Sequence, residues 1–382
     1  MAESIISQLA YRFRIYPSHA QITRLEQTLF LCAELYNSGL QERRDAWNTA
    51  RKSISYKEQA NQLSEIKQIR PELNNIHSQV LQDTLKRLDK AFDNFFRRVK
   101  SKDGKAGFPR FRSRSRYNSF TYPQSGFAVE NNRLRLSKIG KVKIKLHRPI
   151  EGKIKTLTIT RTSTGKWFVC FTVEKEIRLE LHIGEVVGID MGLKAFAVLS
   201  DGIEIDNPRF FRTEERRLAK AQKKLSATEK GIHDRKKKRK IVARIHERIA
   251  NKRKEFAHQL SHYFATTYAI IIFENLNIRG MIKNHCLAKS IQDAAWNQTI
   301  QFTTYKAEGA GGLTLRVNPA GTSNTTHCCG VKVNITLADR VIHCPQCHRE
   351  VDRDYNASLN IKARGLASLP LRWIEAAPNG VA

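Results

Sequence analysis

The sequence predicts an α+β chain of several domains, and three of its features carry that expectation. Residues 119–178 break into short alternating stretches (FTYPQ, FAVENNRLRLS, KVKIKLH, KTLTITRTSTGKWFVCFTVE) with turns at Gly152 and Gly165, as in a small basic β domain or barrel. Residues 19–51 and 74–99 instead carry their apolar side chains at helical spacing. From about Ile183 onward, apolar runs that suit buried strands end in acids. A chain of 382 residues can bury more than one core, so two or three domains are expected, with room for the smaller ones to be inserted in the larger.

The opening YRFRIYP alternates basic and apolar residues like a short strand, and Pro17 ends it. The first helical stretch carries Ile22, Leu25, Leu29, Leu31, Cys32 and Leu35, with Asn37 inside it or at its end. The second carries Val80, Leu81, Leu85, Leu88, Ala91, Phe92, Phe95 and Phe96 on one stripe, which core packing explains. Then GKAGFPRFRSRSRYN (104–118) interleaves Arg110, Arg112, Arg114 and Arg116 with Phe and Tyr, which suits phosphate contact and base stacking; a solvated charged loop is the plainer alternative.

The charge narrows the function. Lys and Arg number 67 against 36 Asp and Glu, a net charge of +31 that would make a compact protein repel itself unless a polyanion neutralises it. Nucleic acid is the first choice, ahead of a membrane surface. At 41% hydrophobic residues this is no disordered basic tail. No run of 18 apolar residues occurs and the start lacks a signal-peptide core, so an intracellular protein is expected. Of seven cysteines, Cys32, Cys170 and Cys286 are scattered and read as buried thiols, whereas Cys328, Cys329, Cys344 and Cys347 cluster, which favours metal over disulfides.

Three acids stand out. EVVGIDMGLKAFAVLSDG (185–202) reads as a strand bearing Asp190, a bend, and a strand returning antiparallel. YAIIIFENLNIRG (268–280) places Glu274 at the end of an apolar strand. In VDRDYNASLNIKARG (351–365), Asp354 sits at the first turn of a helix that Gly365 is expected to stop. Singly each is weak. Together they are hard oxygen ligands on rigid elements, able to hold Mg²⁺ ions over a phosphodiester. A two-carboxylate glycosidase would leave the positive charge unexplained. Between the first two acids, residues 209–254 hold 19 Lys or Arg against five acids, and GIHDRKKKRKIVARIHERIANKRKEFAHQLSHYF reads as one long helix. Ile241, Ile245, Ile249, Phe256 and Leu260 would face a partner, leaving Lys236, Lys237, Lys238, Arg239 and Lys240 for a phosphate backbone.

GIDMG (188–192), FENLNIRG (273–280), TSNTTHCCG (322–330), CPQC (344–347) and DRDYNASLNI (352–361), with YRFRIYP, LDKAFDNFFRRVK and GFPRFRSR, resemble the TnpB (OrfB) family of insertion-sequence proteins, relatives of the compact type V CRISPR nucleases. The resemblance covers nearly the whole chain. It implies a wedge β-barrel domain (1–18 and 104–182) with a helical recognition domain inserted (19–103). A RuvC-like, ribonuclease H-type α/β nuclease domain would follow (183–322 and 349–366, with the basic helical segment 209–265), interrupted by a zinc-ribbon-like module (323–348) and followed by a tail (367–382).

By the same resemblance Asp190, Glu274 and Asp354 are catalytic Mg²⁺ ligands, two ions being expected. The activity would be that of a transposon-encoded RNA-guided endonuclease cutting double-stranded DNA beside a short adjacent motif. One protein would act per guide RNA, in a prokaryotic cytoplasm at the nucleoid. A guided DNA-binding regulator without cleavage and a DNA-joining transposase are the alternatives. Structural Zn²⁺ would be held by Cys329, Cys344 and Cys347, but the family pattern puts a cysteine where this chain has Thr326. The fourth ligand is open between His327, preferred, and Cys328.

Overall fold

The structure, a computed structural model, describes residues 4–101, 106–178, 182, 184–336 and 339–369. Gly104, Lys105, Ile183 and most of the tail expected at 367–382 lie outside the described residues. The chain divides into two compact units, Ile6–Glu176 and Met1–Ile5 with Ile177–Ala382. No described helix is long and apolar enough to cross a membrane.

In the first unit, strand β1 (Ser4–Tyr16) leads into α1 (His19–Ala50), α2 (Tyr56–Asn61), α3 (Leu63–Ile69), a 3₁₀ turn (Pro71–Asn75) and α4 (Ser78–Ser101). Six strands follow: β2 (Ser119–Tyr122), β3 (Phe127–Glu130), β4 (Arg133–Leu136), β5 (Gly140–Lys145), β6 (Lys153–Arg161) and β7 (Trp167–Arg178). The sheet order β2-β6-β7-β1-β5-β4-β3 seats the first strand between β7 and β5, giving a nearly closed barrel with the helices inserted after β1. Ser18 starts α1 with a reciprocal capping box to Gln21. One apolar core joins Phe13 and Ile15 of β1, Leu25 and Cys32 of α1, Leu81 and Leu85 of α4, and Phe120 and Phe171 of the sheet.

Two expectations shift here. The second long helix begins at Ser78 because Pro71 and the asparagines after it close a 3₁₀ turn instead. Its last aromatics leave the core: Phe96 is 54% exposed, and Phe95 packs edge-on against Phe108.

The second unit opens with β8 (Glu185–Met191), β9 (Ala195–Leu199) and β10 (Glu204–Asp206), then α5 (Phe210–Ser226), α6 (His233–Thr267) and β11 (Tyr268–Glu274). Next come α7 (Ile278–Met281), α8 (His285–Ala294), α9 (Trp296–Gly309), β12 (Leu313–Val317), the short pair β13 (Val341–His343) and β14 (Glu350–Asp352), and α10 (Arg353–Ala367). The five-stranded sheet runs β10-β9-β8-β11-β12, with β8, β11 and β12 parallel and β9 and β10 antiparallel.

Side-chain alternation explains why β11 reads as one apolar run. Ile271 and Phe273 enter the core with Phe264 of α6 and Trp296 of α9. Ile270 and Ile272 enter the opposite core with Ile361 of α10, so the strand is buried on both faces. On β8, Val187, Ile189 and Met191 join the first of these cores, which turns Gly188 and Asp190 toward α10.

Glycines let α10 lie close on this sheet. A Cβ at Gly188 would strike the Ser358 carbonyl oxygen and come within 2.5 Å of the Lys362 nitrogen. One at Gly365 would strike the Ile272 side chain, and α10 continues past Gly365 to Ala367, so this glycine permits packing and does not stop the helix. Gly188→Ala must push backbone away from backbone. It is expected to cost about 3 kcal/mol in urea unfolding of the second unit; an unchanged midpoint would contradict this packing.

The long helix expected from Gly231 onward is present as α6, and the basic stretch before it adds a second helix, α5. The two are separated by a turn in which Gly231 takes φ +99°. Ile245 and Ile249 pack with Leu218 of α5, and Phe256 and Leu260 reach the sheet core, but Ile241 is 49% exposed and outside the stripe. Cys286, expected buried, is exposed.

Candidate active site and metal centre

Strand register brings two of the three acids together. β8 and β11 are parallel with Phe273 opposite Ile189, so Glu274 falls beside Asp190 on the face that α10 covers. Both stand at the carboxyl ends of parallel strands, where open α/β sheets hold ligands. The third acid is delivered by the helix: Asp352 caps α10, accepting from the Asp354 and Tyr355 amides at 2.8 and 3.0 Å, which places Asp354 in the first turn.

Asp190 feels both of the other acids. Burial pushes Asp190 up to about 8, and repulsion from Glu274 and then Asp354 adds to it, while Arg353 pulls it down. Glu274 is buried and likewise raised by burial, opposed by the hydroxyl of Thr322, which donates to it, and by the Arg364 charge. Carboxylates held together at this cost are relieved by a cation, and the hard-oxygen set suits a divalent one.

Two arginines that sequence reasoning missed complete the site. Arg353 donates from Nε and Nη2 to Oδ1 of Asp354 at 3.1 and 3.0 Å, and Arg340 reaches Oδ2 at 3.5 Å. The Arg353 amide donates to the Arg340 carbonyl at 2.7 Å, tying the loop between the cysteine pairs to the start of α10. Arg353 could have been suspected from its place between two acids; nothing in the sequence singles out Arg340. Asp190, Asp354, Lys194, Arg340 and Arg353 line a cavity of about 650 Å³.

The Asp190 proton gives a direct test of this electrostatic picture. Unfolded, Asp190 ionises near 3.8; folded, near 8, so the native chain retains a proton that the unfolded chain loses. With divalent metal chelated, stability therefore falls as pH rises from 3.8 toward 8. Asp190→Asn, neutral throughout, is expected to flatten that fall in thermal unfolding scans across this range; an unchanged slope would contradict the burial of the acid.

The cysteines gather as well. The sulfurs of Cys328, Cys329, Cys344 and Cys347 all lie within 4.8 Å of one another, a set that can hold a metal. Four thiols and no open position suit structural zinc. The fourth ligand expected from the sequence is corrected: Cys328 takes the place, and His327 is outside the set, its amide donating to Oδ1 of Asn356 at 2.8 Å. Adjacent cysteines can both contribute because the loop turns tightly there, the Gly330 amide reaching the Thr326 carbonyl at 2.8 Å. Thr326 is buried, and its hydroxyl accepts from the Val331 amide at 3.1 Å, a turn-forming role in place of a ligand. The amides of Cys347 and then Gln346 draw the Cys344 thiol down to about 6, favouring the thiolate a metal needs.

This loop is keyed to α10. Asn356 donates to the Thr325 carbonyl at 2.8 Å, and Asn360, one turn on, donates to Thr325 and Thr322 at 2.7 and 2.9 Å. The i, i+4 spacing of the two asparagines puts both on the face that meets the loop.

Of the expected nucleic-acid contacts, Lys236, Lys237, Arg239 and Lys240 are exposed, whereas Lys238 is tied to Asp234 at 2.8 Å. Arg114 lies over the Phe30 ring at 4.7 Å. Arg110, Arg112 and Arg116 are exposed.

Family profiles described as helix-turn-helix domain, probable transposase and Cas12f1-like TNB domain match residues 7–52, 168–285 and 296–361. A Streptomyces pristinaespiralis protein named for RNA-guided DNA endonuclease activity is 33% identical over 369 residues, 94% of this chain and 90% of the relative. InsQ of Escherichia coli K12, named for the same activity, is 30% identical over 381 residues, 94% of this chain and 93% of the relative. The fold is similar to that of Cas12f1 in a cryo-EM complex with single-guide RNA and target DNA, with a TM-score of 0.55, 14% identity and coverage of 94% of this chain and 99% of that one. Aligned from end to end with such relatives at this identity, the chain belongs to the TnpB (OrfB) family of insertion-sequence proteins.

Proposed function

We propose that this protein is an RNA-guided endonuclease, encoded by a transposable element, that cuts double-stranded DNA beside a short adjacent motif. The observation that carries the reading is Asp190, buried and repelled by Glu274 and Asp354, in a cavity lined also by Asp354, Lys194, Arg340 and Arg353. Acids there would hold the Mg²⁺ ions that activate water and offset charge on the scissile phosphate. The arginines and lysine stand where a phosphodiester would enter, and Thr322 orients Glu274. The names of the two relatives, both for RNA-guided DNA endonuclease activity, support a guide RNA and DNA as partners.

On the same reading, wedge segments 1–18 and 104–182 enclose recognition helices 19–103. Segments 183–322 and 349–366 form the nuclease domain around a zinc module at 323–348, and 367–382 is a tail. The exposed lysines and arginines of α6 and of 110–116 neutralise backbone phosphates. One protein binds one guide RNA in a prokaryotic cytoplasm. A guided regulator without cleavage would have no use for a buried Asp190 placed within reach of two further acids. The test is to purify the protein expressed with its flanking element sequence and sequence the bound RNA. A discrete species at about one per chain supports the reading, and heterogeneous nucleic acid stripped by moderate salt would overturn it.

A further inference from the structure

The arginines of the 110–116 segment are equivalent by sequence, but the structure gives them different surroundings. Arg112 and Arg116 border a cavity of about 230 Å³ whose other walls include Tyr36, Arg87, Tyr117 and Asn118. Arg114 is engaged with Phe30, and Arg110 is not among the walls.

This cavity is held in shape from several sides. Asn37, on α1, donates to the Arg112 carbonyl at 3.0 Å and accepts from the Arg112 amide at 2.7 Å, a two-way bridge that mimics a rung of β-ladder. Tyr36 and Tyr117 are buried, their rings 6.4 Å apart and inclined at 55°, and the Tyr117 hydroxyl donates to Thr84 at 3.4 Å. Arg87 is matched by Asp83 at 2.7 Å and donates to the Ser119 carbonyl at 2.7 Å. Among the described residues, Arg112 and Arg116 have no carboxylate partner and the Asn118 side-chain amide has no hydrogen-bond partner.

Two guanidiniums without a carboxylate partner, that of Arg112 lying 5.8 Å over the Tyr36 ring, and an open amide match a nucleotide's phosphate and base edge. The volume is below the ~300 Å³ at which sites for drug-sized ligands begin and suits one nucleotide in place of a base pair. We propose that this cavity takes a single unpaired nucleotide of the bound polynucleotide, its phosphate on Arg112 and Arg116 and its base edge at Asn118. Asn37 is then a positioning residue that holds Arg112 in place. This rests on the nucleic-acid-binding reading given above.

The test compares Arg112→Gln, Arg116→Gln and the control Arg133→Gln, an exposed residue of β4 outside the cavity, with wild type, all as full chains with matched thermal unfolding. Affinity for the copurifying RNA, and of the RNA-loaded protein for target DNA, is measured across a salt series. Each cavity variant is expected to weaken one of these two steps about tenfold and to lower its salt slope by about one, with Arg133→Gln losing far less. Loss at the RNA step assigns the nucleotide to the guide, and loss at the DNA step assigns it to the target; either supports the cavity. Equal losses for all three variants, with wild type binding normally, would overturn the cavity and leave diffuse charge. A wild-type chain that binds no RNA would instead overturn the reading beneath it.

Discussion

Asp190→Ala is expected to abolish DNA cleavage, by at least about a thousandfold, while RNA-directed DNA binding survives. The reason is positional. Asp190 is set by strand β8 beside Glu274 and within the field of Asp354, so removing it opens the ligand set at the point where the acids crowd most. Affinity for nucleic acid comes from many phosphate contacts spread over a chain of net charge +31, and one acid contributes nothing to it. Binding without cutting is therefore the expected outcome in parallel gel-shift and cleavage assays. Undiminished cutting by purified variant would remove Asp190 from the reaction.

Cys344→Ser is expected to have the largest effect on stability. Four thiols within 4.8 Å gather the 328–347 segment, and Asn356 and Asn360 join the 322–327 stretch just before it to the helix bearing Asp354. With one sulfur lost, zinc should fall from about one per chain toward none. The second unit should melt several degrees lower, at about 2–4 °C per kcal/mol of lost metal binding. Cleavage should fall through displacement of Arg340 and Asp354, both in reach of the same loop, while Mg²⁺ dependence of the residual activity stays as in wild type. Elemental analysis and thermal unfolding read both effects. Fully active protein free of zinc, prepared with zinc available, would contradict a structural role for the cluster. His327→Ala should leave zinc content unchanged, since that side chain is outside the sulfur set.

Much of this was legible in the sequence because it is written in local pattern. The run YAIIIFE could only be a strand buried on both faces, and an acid at its end had to be exceptional. The GIDMG hairpin, the helix after DRD and the barrel strands follow from alternation, turns and capping in the same way. The illegible parts are those set by distant neighbours. Arg340 looks like any charged loop residue until the fold carries it to Asp354. Gly365 reads as a helix stop by position, yet its meaning lies in Ile272, on a strand far away in sequence. Adjacent thiols at 328 and 329 look incompatible with one metal if the chain is imagined extended; a tight turn closed by Thr326 and Gly330 lets both turn inward. Asn37 likewise has no visible task until Arg112 is found beside it.

The most direct measurement of the central claim is sequencing of the products when RNA-loaded protein is incubated in Mg²⁺ with double-stranded DNA carrying the guide-matched target beside randomised flanks. The account predicts cuts only in molecules that match the guide and share a short constant motif at one side, and no cuts when the metal is chelated. Cutting that ignores the guide, or intact DNA from a complex that binds its target, would contradict it.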